Sequence, residues 1–120
     1  MKLIKLDAID STNDFLKRLS VEQSLENFTV VTAESQTRGK GQMGAKWDSE
    51  TGKNLMISVL VNNVLNSISE IFDLNVAVAL AVLTTLEINN IPDLSIKWPN
   101  DIMSDSKKVA GILIENTIKN

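Results

Sequence analysis

The 120-residue chain contains no cysteine and no histidine. Without cysteine it forms no disulfide and has no thiol nucleophile, and without either residue it lacks the ligands of the common zinc sites. The absence of histidine also removes the serine–histidine catalytic triad and the imidazole general base. Any chemistry of this chain must therefore use lysine, arginine, carboxylate, hydroxyl, amide and backbone N–H groups, or a hard metal ion such as Mg²⁺.

Positive charge and long apolar runs are scarce as well. The net charge is −3, which argues against general nucleic-acid binding because that binding depends on a basic surface. The longest unbroken apolar run, Val76–Leu83, is too short to cross a bilayer. The first residues, Met1–Asp7, lack the apolar segment of a signal peptide. We therefore expect a soluble cytoplasmic protein with neither nucleic acid nor a membrane as partner.

What remains is the composition of one globular domain, with 43% hydrophobic and 22% charged residues. Apolar and β-branched segments predict strands at Leu3–Ile9, 28–33, 55–61, 94–98, 102–103 and 107–115. Helical spacing predicts helices from Ser11 to about Ser20 and over Ile68–Ile88. We expect strand 55–61 to be central and the second helix to pack on the sheet as core. This order predicts an α/β (α+β) fold whose mixed, largely antiparallel sheet carries the helices.

A glycine-rich segment, Ala33–Trp47, follows the second predicted strand. It interleaves three of the five glycines with three cations: Gly39, Gly41 and Gly44 with Arg38, Lys40 and Lys46. Glycine permits positive φ and a close approach of the backbone to a ligand. Successive N–H groups in such a loop form a concave anion site. The segment predicts a loop that binds phosphate or carboxylate, and a mobile solvated loop is the alternative.

The spacing Gly39–Gly44 satisfies G-x-G-x-x-G, the dinucleotide-binding pattern. That fold needs a helix directly after the loop, whereas residues 45–54 have no helical period and a strand follows them. A P-loop needs Lys and then Ser or Thr after its last glycine, and Ala45 stands there instead. A kinase-type loop lies between two strands, but the chain has no His-Arg-Asp or Asp-Phe-Gly sequence. The loop is therefore predicted to be a strand–loop–strand anion site of another kind.

Three further clusters carry polar groups that suit a ligand. They are Ser11-Thr12-Asn13 at the start of the first helix, Lys97–Asp101 at a strand end, and Lys107-Lys108 with Gly111 in the last strand. A helix N-terminus with hydroxyls suits a small polar ligand group, although Ser11 with Asp14 also reads as a helix cap resembling a capping box. Oxygen-bearing groups after Pro99 suit Mg²⁺ or a nucleotide, or form only a hairpin corner. A glycine within a strand marks close approach of a ligand, and an edge strand with solvated lysines is its alternative.

These motifs, in this order, resemble the catalytic domain of biotin–protein ligases (biotin–[acetyl-CoA-carboxylase] ligases). The landmarks of that family are a Ser-Thr-Asn helix start, a Gly-Arg-Gly-Arg-Arg-Gly-x-x-Trp loop, a Lys-Trp-Pro-Asn-Asp segment and a Lys-x-Ala-Gly-Ile-Leu strand. Here they stand at Ser11–Asn13, Gly39–Trp47, Lys97–Asp101 and Lys108–Leu113. The resemblance implies a fold like that of class II aminoacyl-tRNA synthetases and biotin synthetases. It also implies that residues 1–120 are the N-terminal portion of the catalytic domain, with no DNA-binding domain and no C-terminal β-barrel domain.

The resemblance implies ATP-dependent ligation of biotin to a lysine of a biotin carboxyl carrier protein domain, through biotinyl-5′-AMP and with Mg²⁺ assisting. Lys40 and Lys108 are then the expected catalytic residues, and no protein metal ligand is expected. Residues for biotin and its adenylate are Ser11, Thr12, Asn13, Gln36, Gly39, Lys40, Gly41, Gln42 and Lys108. Asn100 and Gly111 fall on the nucleotide side.

Three positions depart from the family pattern. Gln42 and Ala45 stand where the family often has arginine, so fewer cations face the phosphates, and Lys40 replaces an arginine, which loses the bidentate fork. Weaker retention of the adenylate is therefore expected. Two alternatives stay open, a lipoate- or octanoate-transferring relative and a truncated non-catalytic biotin-binding module.

Overall fold

A computed structural model describes residues 1–117 of the chain, which form two compact units, Met1–Val64 and a second unit that begins at Leu65. The first unit contains β1 (Leu3–Ile9), α1 (Thr12–Glu22), β2 (Val30–Gln36) and β3 (Met56–Val59). The second contains α2 (Ile71–Ile88), β4 (Leu94–Lys97), β5 (Asp101–Ser104) and β6 (Lys107–Gly111). Short 3₁₀ turns occupy Gln42–Gly44 and Ile68–Glu70. The predicted mixed α+β fold is confirmed, with one parallel and three antiparallel strand pairs.

The first unit is a three-stranded sheet in the order β1-β2-β3. β1 and β2 are parallel and are joined through α1, whereas β2 and β3 are antiparallel. Helix α1 packs on β2 and β3, and Leu16 of α1 is 6% exposed while Val31 of β2 is fully buried. By the strand order β2 is the middle strand, and its last residue, Gln36, lies within the glycine-rich segment, just before the glycines.

Two strand predictions in this unit are wrong in detail. β3 is not central but lies at one side of its sheet, as the order β1-β2-β3 shows. It is also covered on one face only, since Met56 and Ser58 are buried whereas Ile57 and Val59 are about half exposed. A nearly continuous apolar run had suggested burial on both faces. β2 begins two residues later than predicted because Phe28 has a φ of 62°, which extended strand backbone does not allow.

The second unit is an antiparallel meander in the order β4-β5-β6. Helix α2 contacts β4 and β5, with Ala79 at 2% exposure and Ile102 of β5 fully buried. The prediction that α2 is core is correct only for this stripe, since Phe72 is 60% and Ile88 is 74% exposed. The helix is apolar on every side, so contact with a small sheet leaves most of its surface uncovered.

The segment Ile68–Ile88 is also the one helical stretch, among residues 1–117, that is long and apolar enough to cross a bilayer by length and composition. Its most apolar 18-residue window has a mean hydropathy of 1.8. The sequence-based expectation rested on unbroken runs, whereas a window tolerates the scattered polar residues of this helix. Core helices of soluble proteins meet the same criterion but are mostly buried, whereas only 6% of this window is buried in the structure.

Candidate functional site

The start of α1 is fixed by Ser11, which is 3% exposed and has the extended backbone of an N-cap residue. Its Oγ accepts the backbone N–H of Asp14 at 3.0 Å, so the predicted helix cap is confirmed. The other half of a capping box is not formed. The backbone N–H of Ser11 instead donates to Oδ1 of Asp10 at 2.7 Å, which leaves the Asp14 carboxylate available for another partner.

Asp10 accepts the Ser11 N–H and also forms a salt bridge with Arg18. The guanidinium of Arg18 donates to both carboxylate oxygens of Asp10, at 2.8 and 3.1 Å. This bidentate pair, followed by the Ser11 N–H bond, lowers the pKa of Asp10 from 3.8 to about 2. The same bond raises the pKa of Arg18 above its usual range. This pair links Asp10, which lies between β1 and α1, to the middle of α1. It therefore holds the chain in place just before Ser11 and Thr12 begin the helix.

Three of the predicted site residues share one hydrogen-bonded cluster with Ser58. We call this cluster the Thr12 network, and its members are Thr12, Asn13, Gln36 and Ser58. The backbone N–H of Thr12 donates to Oε1 of Gln36 at 2.8 Å, across 24 residues of sequence. The Thr12 hydroxyl lies 2.7 Å from the Ser58 hydroxyl, and the Ser58 hydroxyl donates to Oδ1 of Asn13. The network therefore joins the end of β2 and the middle of β3 to the first turn of α1.

Sequence reasoning missed Ser58. It is the one polar residue in the predicted strand 55–61, and that is the only signal the sequence offers for it. Its partners are 46 and 45 residues away, so no local pattern points to them. A buried hydroxyl needs a hydrogen-bond partner, which is how a lone serine in an apolar strand indicates a tertiary contact.

The glycine-rich segment lies between β2 and β3, as predicted, and residues 39–47 fold back on themselves as a hairpin that was not predicted. The N–H of Trp47 donates to the carbonyl of Gly39 at 2.9 Å, and the N–H of Gly41 donates to the carbonyl of Ala45 at 2.7 Å. Of the three glycines only Gly44 has positive φ, at 78°, and the exposed Met43 beside it has a φ of 55°. Positive φ, one of the two reasons expected for the glycines, therefore applies to Gly44 alone. At the buried Gly39 the reason is space, because an added Cβ would lie 2.4 Å from the Trp47 carbonyl oxygen.

Lys40 connects this hairpin to α1. Its Nζ lies 2.7 Å from Oδ1 of Asp14, and the two side chains are 37% and 29% exposed. Gly39, at the start of the hairpin, also lies near the Thr12 network, because a Cβ on Gly39 would be 3.0 Å from Nε2 of Gln36. The first unit thus brings together most of the residues that the resemblance assigned to biotin: Ser11, Thr12, Asn13, Gln36, Gly39 and Lys40. Gly41 lies further along the hairpin and Gln42 begins its exposed 3₁₀ turn.

In the second unit the other predicted residues lie around the start of β5 and the end of β6. Nζ of Lys108 is 2.8 Å from Oδ1 of Asp101, and Asp101 is the strand partner of Gly111. Asn100 follows the cis Trp98–Pro99 bond, and its Nδ2 donates to the carbonyl of Ile112 at 2.8 Å. The amide nitrogen of Asn100 therefore ties β5 to the residue after β6, which leaves its Oδ1 for any other contact.

Residues 6–120 match the biotin/lipoate A/B protein ligase family. The bifunctional ligase/repressor BirA of Bacillus spizizenii is 34% identical over 113 residues, which cover 94% of this chain and 34% of the relative. The biotin protein ligase of Aquifex aeolicus, solved in complex with biotin and ATP, is 37% identical with a TM-score of 0.79, covering 97% of this chain and 47% of that one.

The biotin protein ligase of Leishmania major, solved in complex with biotinyl-5-AMP, is 27% identical with a TM-score of 0.72, covering 97% of this chain and 52% of that one. The chain thus spans about half the length of the solved relatives and about a third of the curated one. The similarity extends over nearly all of its own residues. On this agreement of sequence and fold, the chain belongs to the biotin/lipoate A/B protein ligase family.

Proposed function

We propose that this chain carries the biotin-binding residues and part of the nucleotide-binding residues of an ATP-dependent biotin ligase. The observation that supports this most is the Thr12 network, which brings two sequence motifs, the start of α1 and the glycine-rich segment, within hydrogen-bond distance of each other. The named complexes of relatives with biotin and ATP, and with biotinyl-5-AMP, support the same substrates. The acceptor is a lysine of a biotin carboxyl carrier protein domain, and the setting is the cytoplasm.

The reaction has two steps, and neither needs histidine or cysteine. A biotin carboxylate oxygen first bonds to the α-phosphorus of ATP as the bond to pyrophosphate breaks, which gives biotinyl-5′-AMP. The ε-amine of the acceptor lysine then bonds to the acyl carbon, the bond to AMP breaks, and the amine loses a proton. Both steps depend on holding the reactants in line and on neutralising phosphate charge.

Each residue has a separate role in this proposal. Ser11 and the Thr12 network bind and orient biotin, Gln42 and the backbone of Gly39 and Gly41 contact the adenylate, and Lys40 and Lys108 neutralise charge. Lys40 performs this role only after its ammonium group leaves Asp14, which it contacts at 2.7 Å. Asn100 and Gly111 contact the nucleotide.

Mg²⁺ accompanies ATP in the proposed reaction. Within residues 1–117, no three or more carboxylate, histidine or cysteine side chains stand together as a metal site. The described residues therefore do not form a cage for the ion, and Mg²⁺ would enter on the phosphates of ATP. We assign no step of the reaction to a protein-bound metal.

Calorimetric titration of biotin, lipoate and ATP into the purified chain tests this proposal. We expect biotin to bind and lipoate not to bind, and we expect labelled ATP with biotin to give bound biotinyl-5′-AMP. Lys40→Gln should weaken retention of the adenylate about 10- to 100-fold, the effect of losing one charged hydrogen bond. Lys53→Gln, at an exposed lysine that follows the glycine-rich segment and pairs with Glu50, is the control and should have no such effect. Preferential binding of lipoate, or a folded chain that binds none of the three, would refute the proposal.

A further inference from the structure

We infer that Ser58 is a positioning residue, which holds the side chains of Thr12 and Asn13 and so leaves Oε1 of Gln36 to the Thr12 backbone N–H. This inference rests on the proposed function, because the ligand concerned is biotin. It adds a residue from β3, which none of the sequence motifs includes, to the proposed biotin site.

Burial is the first argument. Ser58 is 5% exposed and Thr12 is 4% exposed, so neither hydroxyl can rely on bulk water for its hydrogen bonds. A buried hydroxyl without a partner is costly. Ser58 meets this requirement with two contacts, to Thr12 and to Asn13, and both partners belong to the motif at the start of α1. A serine that served only the strand would bond within its own sheet.

The number of available protons fixes the direction of the network. An amide oxygen only accepts, so the single hydroxyl proton of Ser58 goes to Oδ1 of Asn13. The Thr12 hydroxyl, 2.7 Å away, must then donate to Ser58. Oε1 of Gln36 is 3.2 Å from the same Thr12 hydroxyl, but it already accepts the Thr12 backbone N–H at 2.8 Å.

The outcome is a network that uses both amide oxygens. Oδ1 of Asn13 accepts the Ser58 hydroxyl proton, and Oε1 of Gln36 accepts the Thr12 backbone N–H. Nε2 of Gln36 is directed towards the glycine-rich segment, because it would be 3.0 Å from a Cβ on Gly39. Without Ser58, the Thr12 proton would turn to Gln36 and Asn13 would lose the bond that orients it.

The test compares Ser58→Ala with Ser58→Cys, which keeps a weak donor of similar size, and with Ser95→Ala, an exposed serine in β4. The first readout is the NMR spectrum of the chain without ligand. In Ser58→Ala we expect the side-chain NH₂ resonances of Asn13 and Gln36 to move and the Thr12 amide to exchange faster. The second readout is calorimetric biotin affinity, which should fall about tenfold in Ser58→Ala, recover partly in Ser58→Cys and stay unchanged in Ser95→Ala.

A merely structural role would lower the melting temperature of Ser58→Ala but leave the biotin affinity of the folded protein unchanged, and that result would overturn the inference. Unchanged NH₂ resonances would overturn it too, whatever the affinity. If the wild-type chain binds no biotin, the proposed function fails, whereas normal biotin binding by Ser58→Ala removes only the role of Ser58. The two failures are therefore distinguishable.

Discussion

Gly39→Ala is the sharpest test of how the glycine hairpin is built. The Gly39 backbone packs against Trp47, whose N–H donates to the Gly39 carbonyl at 2.9 Å. A Cβ at position 39 would lie 2.4 Å from the Trp47 carbonyl oxygen, 3.0 Å from Nε2 of Gln36 and 3.3 Å from the Cβ of Trp47. The nearest of these atoms belongs to the backbone, which cannot rotate away as the end of a side chain can.

The size of the effect follows from this geometry. Restoring a normal carbon contact of about 3.5 Å requires the backbone to move by about 1 Å. Overpacking of this kind costs about 1–3 kcal/mol, which lowers the melting temperature by about 4–12 °C for a chain of this size. Because the same movement displaces Nε2 of Gln36, biotin affinity should fall as well, by about tenfold or more.

Two other glycines of the hairpin are matched controls. At Gly41 an added Cβ would be 3.4 Å from the Cβ of Ala45, an ordinary contact, so Gly41→Ala should melt within about 2 °C of the wild type. At Gly44 nothing lies within 4 Å, but φ is +78°, so Gly44→Ala should cost about 1 kcal/mol through backbone strain and leave biotin affinity unchanged. Differential scanning calorimetry and biotin titration of the three variants give both quantities. Equal losses at all three positions would refute the reasoning, since crowding exists only at Gly39.

Three further predictions concern single polar contacts. Asp14→Asn removes the carboxylate that competes with ATP phosphate for the Lys40 ammonium group. Since such partly exposed pairs contribute about 0.2–1 kcal/mol, the ATP affinity measured by calorimetry should rise up to about fivefold. A decrease in affinity would show that Asp14 positions the lysine instead. The pKa of Asp10 is lowered in the folded chain, so the stability that Asp10 gives is present above its unfolded pKa of 3.8 and is lost as pH falls towards about 2. The difference in melting temperature between the wild type and Asp10→Asn should therefore disappear over that pH range. A difference that stays constant would contradict this. Asn100→Asp keeps the size of the side chain but cannot donate to the Ile112 carbonyl, so it should cost about 1–3 kcal/mol in thermal melting, and an unchanged melting temperature would exclude the bond.

Local sequence signals predicted the parts of the site that depend on local chemistry. The alternation of β1 gave its bounds, Leu3–Ile9. A hydroxyl before an apolar helical period gave the N-cap at Ser11, because an N-cap satisfies an N–H three residues away. The loop between β2 and β3 followed from the strand on each side of the glycines, although its fold into a hairpin did not. In each case the residues that interact are neighbours in sequence.

Strand order and helix exposure could not be predicted in this way. An apolar run reads the same whether one or both faces of its strand are covered, and only the packing of α1 on β3 decides that Ser58 is buried and Ile57 half exposed. A helix that is apolar on every side, as α2 is, gives no sign of which stripe contacts its sheet. The Thr12–Ser58 bond joins residues 46 positions apart, so it depends on the register of β3 and not on any local pattern.

The two lysines proposed for catalysis each have a carboxylate partner within their own unit. Lys40 lies 2.7 Å from Asp14 and Lys108 lies 2.8 Å from Asp101. A partly exposed pair of this kind stabilises by only about 0.2–1 kcal/mol, whereas fixing a lysine side chain costs about 1.5–2 kcal/mol of entropy. Each aspartate thus limits the positions of its lysine's ammonium group but binds it weakly. A phosphate, which has more charge and more acceptor oxygens, can displace the aspartate from the lysine. In the proposed reaction, which uses charge placement and not proton transfer by histidine, these two aspartates determine how much side-chain entropy each lysine has already lost when ATP binds.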